Sequence, residues 1–254
     1  GPAGKTPWSV KRLHKLMMQT TAYRQAADRG ETGLARIARA GDPENRWYWC
    51  FPSRRLEAEA VRDAMLAVSG RLNLQQFGPG VQPELPPGYS AREAWKISPD
   101  LAARQRRSVY ITAKRNLPYP LLNDFDLPDT HESCARRMQT TTAPQALTLL
   151  NSGIVLDEAK AFAGRLLRDD PRAEAANIVP AAYRIAFIRS PTSDEQRSAA
   201  EFLQEQEDLL AAQPISHAML PVGGFPKFLS PARGAAVVAF CHVLLNANEF
   251  IYLD

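Results

Sequence analysis

Residues 53–70 leave the chain little choice but to form a helix. Ser53 is a good N-cap, because its hydroxyl can accept from a free first-turn N–H, and Gly70 stands where a left-handed C-terminal residue is wanted. On a helical projection Leu56, Ala60, Val61, Ala64, Met65, Ala67 and Val68 share one broad side, with Glu59, Arg62 and Asp63 opposite. Two residues break the pattern: Glu57 projects from the middle of the apolar side and Leu66 from the polar side. So wide an apolar arc predicts a central helix. A carboxylate inside it needs a counter-ion, since an unpaired buried charge is too costly to keep. Arg54, Arg106, Arg107, Arg136 and Arg137 are the available cations. Arg107 and Arg137 are the first choices, because both flank polar turns and an arginine fork can grip both oxygens. Glu57 then has two readings: a structural ion pair, or a ligand-facing carboxylate on the floor of a cleft.

Composition narrows the class. Apolar residues make up 45% and charged residues 23%, which suits a globular domain with a sizeable core. The expected architecture is mainly α: one multi-helix domain over residues 8–254 with a minor β element and long Pro/Gly-rich loops. Residues 1–7 read as a disordered start or an expression remnant, since the chain opens Gly-Pro-Ala-Gly. A net charge of +4 is too small to argue for nucleic acid. Binding of nucleic acid through Arg104, Arg106, Arg107, Lys114 and Arg115 is therefore the least supported reading. No apolar run of about 18 residues encodes a membrane span. Cys50, Cys134 and Cys241 fit neither a zinc spacing nor a haem-attachment motif and read as thiols packed as small hydrophobes. The four histidines are scattered, so no metal site is expected.

Taken in order, Ser9 caps a helix from Val10 to about Arg24, whose Lys11, Arg12, Lys15 and Arg24 side reads as a solvated face ahead of a basic docking face, and residues 28–41 read as a loop with at most a short helical turn. The Asp42-Pro43 turn leads into Trp47, Tyr48, Trp49 and Phe51. Trp47 and Trp49 form a candidate aromatic platform for a sugar or base, although aromatics this dense also serve as core anchors. Residues 71–103 carry too many prolines and glycines for a regular element and read as a surface excursion. Residues 106–112 are the best strand candidate, paired either with that excursion or with an edge strand at 117–122. Asp124, Asp126 and Asp129 invite a calcium reading, against Asx-type turns with ion pairs to Arg136 and Arg137. Thr142 with Gln145 and Thr192 with Glu195 are capping boxes opening helices to about 150 and 212. Further helices are expected over 154–168 and 175–188, the latter containing Pro180. Residues 213–231 read as a linker before a last, almost wholly apolar helix over 232–246.

The ordered set of motifs is more specific than any one of them. Trp8-Ser9-Val10-Lys11-Arg12-Leu13, Asp42-Pro43 with Asn45-Arg46, Arg54-Arg55-Leu56-Glu57-Ala58-Glu59 and Arg107-Ser108-Val109-Tyr110 come first. Phe125-Asp126 with Pro128-Asp129, Pro144-Gln145-Ala146-Leu147 and Leu245-Asn246-Ala247-Asn248-Glu249-Phe250 follow. Together they resemble the planctomycete family called domain of unknown function 1553. The resemblance implies a C-terminal piece of a larger extracytoplasmic protein. It implies no cofactor in this chain, but a cytochrome-c-type haem domain upstream, and it brings no catalytic residues.

Two functions are then in play. The first is a non-catalytic interaction or scaffold module whose partners are upstream domains of the same protein or another protein. The second is a polysaccharide-binding or polysaccharide-processing domain. That reading draws on Glu57, Glu59, Asp124 and Asp126, with Arg54, Arg107 and Arg137 around them and Trp47 or Trp49 as platform, since glycoside chemistry needs paired carboxylates.

Overall fold

The computed structural model describes residues 8–27, 30, 32–86 and 94–253. The expectations for residues 1–7 and for parts of 28–41 and 71–103 lie outside the described residues. Eleven α-helices and one two-stranded antiparallel sheet make the described chain mainly α. It divides into two compact units: residues 1–55 with 252–254, and residues 56–251.

The N-terminal unit holds α1 (Val10–Met18), α2 (Gly33–Gly41) and the sheet formed by β1 (Arg54–Arg55) and β2 (Tyr252–Leu253). Ser9 caps α1 by accepting from the Arg12 N–H, as its sequence predicts, but the helix ends at Met18. Residues expected as a loop instead form α2, because the Thr32 hydroxyl accepts from the Ala35 N–H and starts it. The turn after α2 is cross-braced. Asp42 accepts from the Arg46 and Trp47 N–H groups at 2.9 and 2.8 Å, and the Asn45 amide bonds both backbone groups of Cys50.

The larger unit is built on α10 (Pro231–Asn246), which packs on α7 (Gly153–Asp169) and α9 (Ser193–Ala211) and also meets α6 (Ala143–Asn151) and α8 (Ala175–Phe187). Val237, Val238, Phe240, Cys241 and Leu244 are buried, as an apolar helix requires, but Val243 is half exposed. Both capping boxes form, and the stripe Val155, Ala159, Phe162 and Leu166 lies wholly in the core. Pro180 stands inside α8. The 213–231 segment is more than a linker. It contains a 3-10 turn, His217–Met219, and crosses α7 so closely that Gly164 and Gly224 touch backbone to backbone.

The central expectation needs correction. α3 spans Ala58–Val68, not 53–70, because the residues before it are extended. Arg54 and Arg55 pair with Leu253 and Tyr252, and the Leu56 N–H donates to the Ile251 carbonyl. Glu57 is therefore the N-cap residue, half exposed, rather than a carboxylate inside the apolar face. Arg62 and Leu66, read as polar-side positions, are buried.

Arg62 and Asp63 also explain why residues 106–112 form no strand. Arg62 donates to the Arg104 and Arg106 carbonyls and to the Ser108 hydroxyl. Asp63 accepts from the Ser108 N–H at 2.6 Å. With these backbone groups held by α3, the segment closes into a 3-10 turn, Ser108–Tyr110, and keeps only isolated bridges Asn73–Arg106 and Val81–Ile111. The bridging partners do come from the 71–103 excursion. The expected edge strand at 117–122 is replaced by α5 (Pro120–Asp124), with proline in its first turn. The excursion is not a mere surface loop. The Arg106 guanidinium gathers the Gln75, Phe77 and Pro79 carbonyls, and Val81, Pro83 and Trp95 are buried.

Candidate functional site

The larger unit gathers Glu57, Glu59 and Arg137. Arg137 forks onto Glu59 through Nη1 and Nη2 at 2.7 and 3.0 Å, and Nη1 also reaches Glu57 at 3.1 Å. Burial pushes the Glu59 carboxyl up, but the hydrogen bonds and charge of Arg137, with the residue's own N–H, bring it below the usual range. The clamp ties the segment after α5 to the start of α3, where a carboxylate also complements the helix dipole. Arg107 pairs with Asp63 at 3.3 Å instead of Glu57. Asp124 accepts from the Thr148 hydroxyl at 2.7 Å. Asp126 accepts from the Thr140 N–H and hydroxyl, both at 2.8 Å. Threonine groups thus hold Asp124 and Asp126, where ion pairs to Arg136 and Arg137 were expected. Among the described residues no group of three His, Cys, Asp or Glu could hold a metal ion. All three cysteines are free thiols, and burial pushes the Cys241 thiol up.

Sequence reasoning missed a cleft of about 130 Å³ in the same unit. It lies between α3, residues 83–84, α4 (Leu101–Arg104) with Gln105, Tyr119 with α5, and the start of α7. Three guanidinium groups line it: Arg62, Arg71 and Arg104. Arg71 meets Glu158 at 3.3 Å and Arg104 pairs with Glu84. Glu158 is 8% exposed, and burial pushes its carboxyl up against the opposing pull of Ser69, Arg71 and Arg62. Its Oε2 and the Nε of Arg104 are buried without a hydrogen-bond partner among the described residues. Burial likewise raises the Tyr119 phenol. A signal for Glu158 existed: it stands within the apolar stripe of α7, between Val155 and Phe162.

The N-terminal unit carries a different kind of surface. α1 buries no residue, and Val10, Leu13, Leu16 and Met17 are all more than half exposed. Leu34 and Ile37 of α2 stand exposed too. Trp47 is 80% exposed and Tyr48 63%, presented by the braced turn, with Tyr48 held at φ 53°. A left-handed aromatic residue is strained, and such strain persists only where surrounding bonds impose it. Trp49 is an anchor instead, half buried and donating to the Asp42 carbonyl at 2.9 Å. Met17, Tyr23, Tyr48, Phe51 and Pro52 wall an apolar groove of about 380 Å³ with Arg54 among its lining residues. Residues 1–55 hold eleven Lys and Arg against four Asp and Glu, a net +7, whereas residues 56–254 hold 20 against 23. The modest net charge of the chain hides this asymmetry.

No helix among the described residues is long and apolar enough to cross a membrane. No curated protein and no solved structure matches the chain. A family profile described as "Protein of unknown function (DUF1553)" matches residues 4–203, most of the sequence and all but the last part of the helical unit. The chain therefore belongs to that family.

Proposed function

We propose that this chain is a non-catalytic interaction module of a larger extracytoplasmic protein, docking through its N-terminal unit. The observation that carries this reading is α1: a strongly amphipathic nine-residue helix with no buried residue. Helices that short are marginal in water unless their apolar face is packed. The face is flanked by Lys11, Arg12 and Lys15, and residues 1–55 carry a net +7, so the fitting partner is an acidic protein surface with an apolar patch. The first such partner is the upstream part of the same polypeptide, including any haem domain there. The polysaccharide reading is less well supported, because Glu57, Glu59, Asp124 and Asp126 all serve internal bonds. Only Trp47 remains as an open platform.

Calorimetric titration of this chain with the separately produced upstream region tests the reading. Binding is expected to weaken with salt. The double variant Leu13→Ser, Met17→Ser should weaken it by about tenfold or more, as apolar anchors of an interface do. Both residues are exposed, so the variant should melt like the parent. No binding, or binding indifferent to the variant, contradicts the proposal. Binding to anionic vesicles but not to the upstream region would assign the surface to lipid and would also overturn it.

A further inference from the structure

The cleft beside Glu158 has no part in that docking role, and its composition is unusual for a merely structural cavity. Its charges balance only while Glu158 is ionised, with Arg62, Arg71 and Arg104 against Glu84, Asp157 and Glu158. Arg104 has Glu84 and Arg71 has Glu158. Arg62 donates to two carbonyls and the Ser108 hydroxyl rather than to a carboxylate, so protonation of Glu158 leaves one positive charge of the lining in excess. Among the described residues, two polar atoms of the wall, Glu158 Oε2 and Arg104 Nε, lack partners, and buried polar groups rarely go without them. Met65, Leu66, Leu101, Leu121 and Ile154 supply apolar wall. The volume approaches that of a cavity of about 150 Å³ known to accept benzene.

We propose that this cleft binds a short-chain monocarboxylate, held by Arg71 and Arg104, with a protonated Glu158 donating to it. Each part of the ligand answers a feature of the wall. An anion cancels the excess charge. Its two oxygens suit guanidinium forks, whose planar geometry matches a carboxylate. A proton shared between Glu158 Oε2 and the ligand gives both carboxyl groups a bond that two ionised ones could not make. The short carbon body rests on the leucines. A neutral hydroxyl compound would satisfy the two orphan atoms but leave the charge uncancelled. The titratable and charged groups facing Glu158 are Arg62 from α3, Arg71 after it, Glu84 and Arg104 from the crossing segments, Tyr119 before α5, and Asp157 on α7 itself.

The test uses propionate, with propionamide as the neutral isostere, followed by saturation-transfer NMR and by the shift in melting temperature at constant ionic strength. Propionate is expected to bind more tightly at pH 5.5 than at pH 8, and propionamide at least tenfold more weakly. Glu158→Gln retains a donor without a titrating proton, so it should bind propionate equally at both pH values. Leu101→Trp, at an exposed position on the rim, should block binding while leaving the melt unchanged. Equal binding of the amide and the acid would overturn the proposal. So would propionate binding untouched by Leu101→Trp, a pH dependence that survives Glu158→Gln, or no propionate binding at tens of millimolar.

Discussion

Arg137 shows what a single residue contributes and what a sequence can say of it. The sequence offers it, with Arg107, as a first choice of counter-ion to Glu57, and the structure takes Arg137, but the burial expected for Glu57 fails, because that depended on where α3 begins. The start is set by backbone partners at Ile251, Tyr252 and Leu253, at the far end of the chain, where no local pattern reaches. Glu57→Gln at this half-exposed N-cap should therefore change unfolding free energy by no more than about 1 kcal/mol, checked by urea denaturation. Arg137→Met removes the fork on the more buried Glu59 and should be the more destabilising, by roughly 1–3 kcal/mol. Acid titration gives a second test at residue scale. The Arg189 hydrogen bonds lower the Glu195 carboxyl to about 2 from an ordinary 4.5, burial opposing them. A depressed carboxylate contributes stability that is present above its unfolded value and lost as pH falls through its folded one. Stability should thus decline between pH 5 and pH 2, and Arg189→Met should flatten that decline. An unchanged slope would show that the pair contributes nothing.

At the scale of elements, helices were legible where their signals were local. The capping boxes at Thr142 and Thr192 and the apolar stripe of α7 are written within a few residues of one another. Residues 106–112 misled because β-branched composition cannot reveal that Arg62 and Asp63 would take their backbone groups. The last helix was recognised as core, but not which way it faces, since an apolar helix carries almost no directional pattern. Val237 is fully buried and Val243 half exposed. Val237→Asp should thus unfold the unit or cost more than about 4 kcal/mol, whereas Val243→Asp should cost about 1 kcal/mol or less. Thermal melts of the two variants check this directly. The crossing of α7 by residues 222–224 makes a sharper demand. A Cβ on Gly164 would lie 2.0 Å from the Val222 carbonyl oxygen, a backbone atom with little room to move. Gly164→Ala should cost roughly 1–3 kcal/mol or more despite its better helix propensity. A neutral or stabilising result in denaturant would show that the segment is the loose linker its composition suggests.

Over the whole molecule, two units of opposite charge character share one chain. The larger has a helical core in which its conspicuous carboxylates serve internal bonds. The smaller leaves amphipathic helices uncovered on a strongly basic background. The mainly α class was readable from helix signals throughout. The proposed docking surface was legible only as the lesser of two readings of the first helix's basic side, because average composition hides a charge asymmetry between segments, and a core stripe and a docking stripe look alike in sequence. The account therefore rests on α1 being covered by a partner. Amide hydrogen exchange through Val10–Met18, compared between this chain alone and the longer protein proposed above, tests that most directly. The account predicts rapid exchange in the isolated chain, as for a short unpacked helix, and protection stronger by about tenfold or more in the longer protein. Equal exchange rates in the two would contradict it.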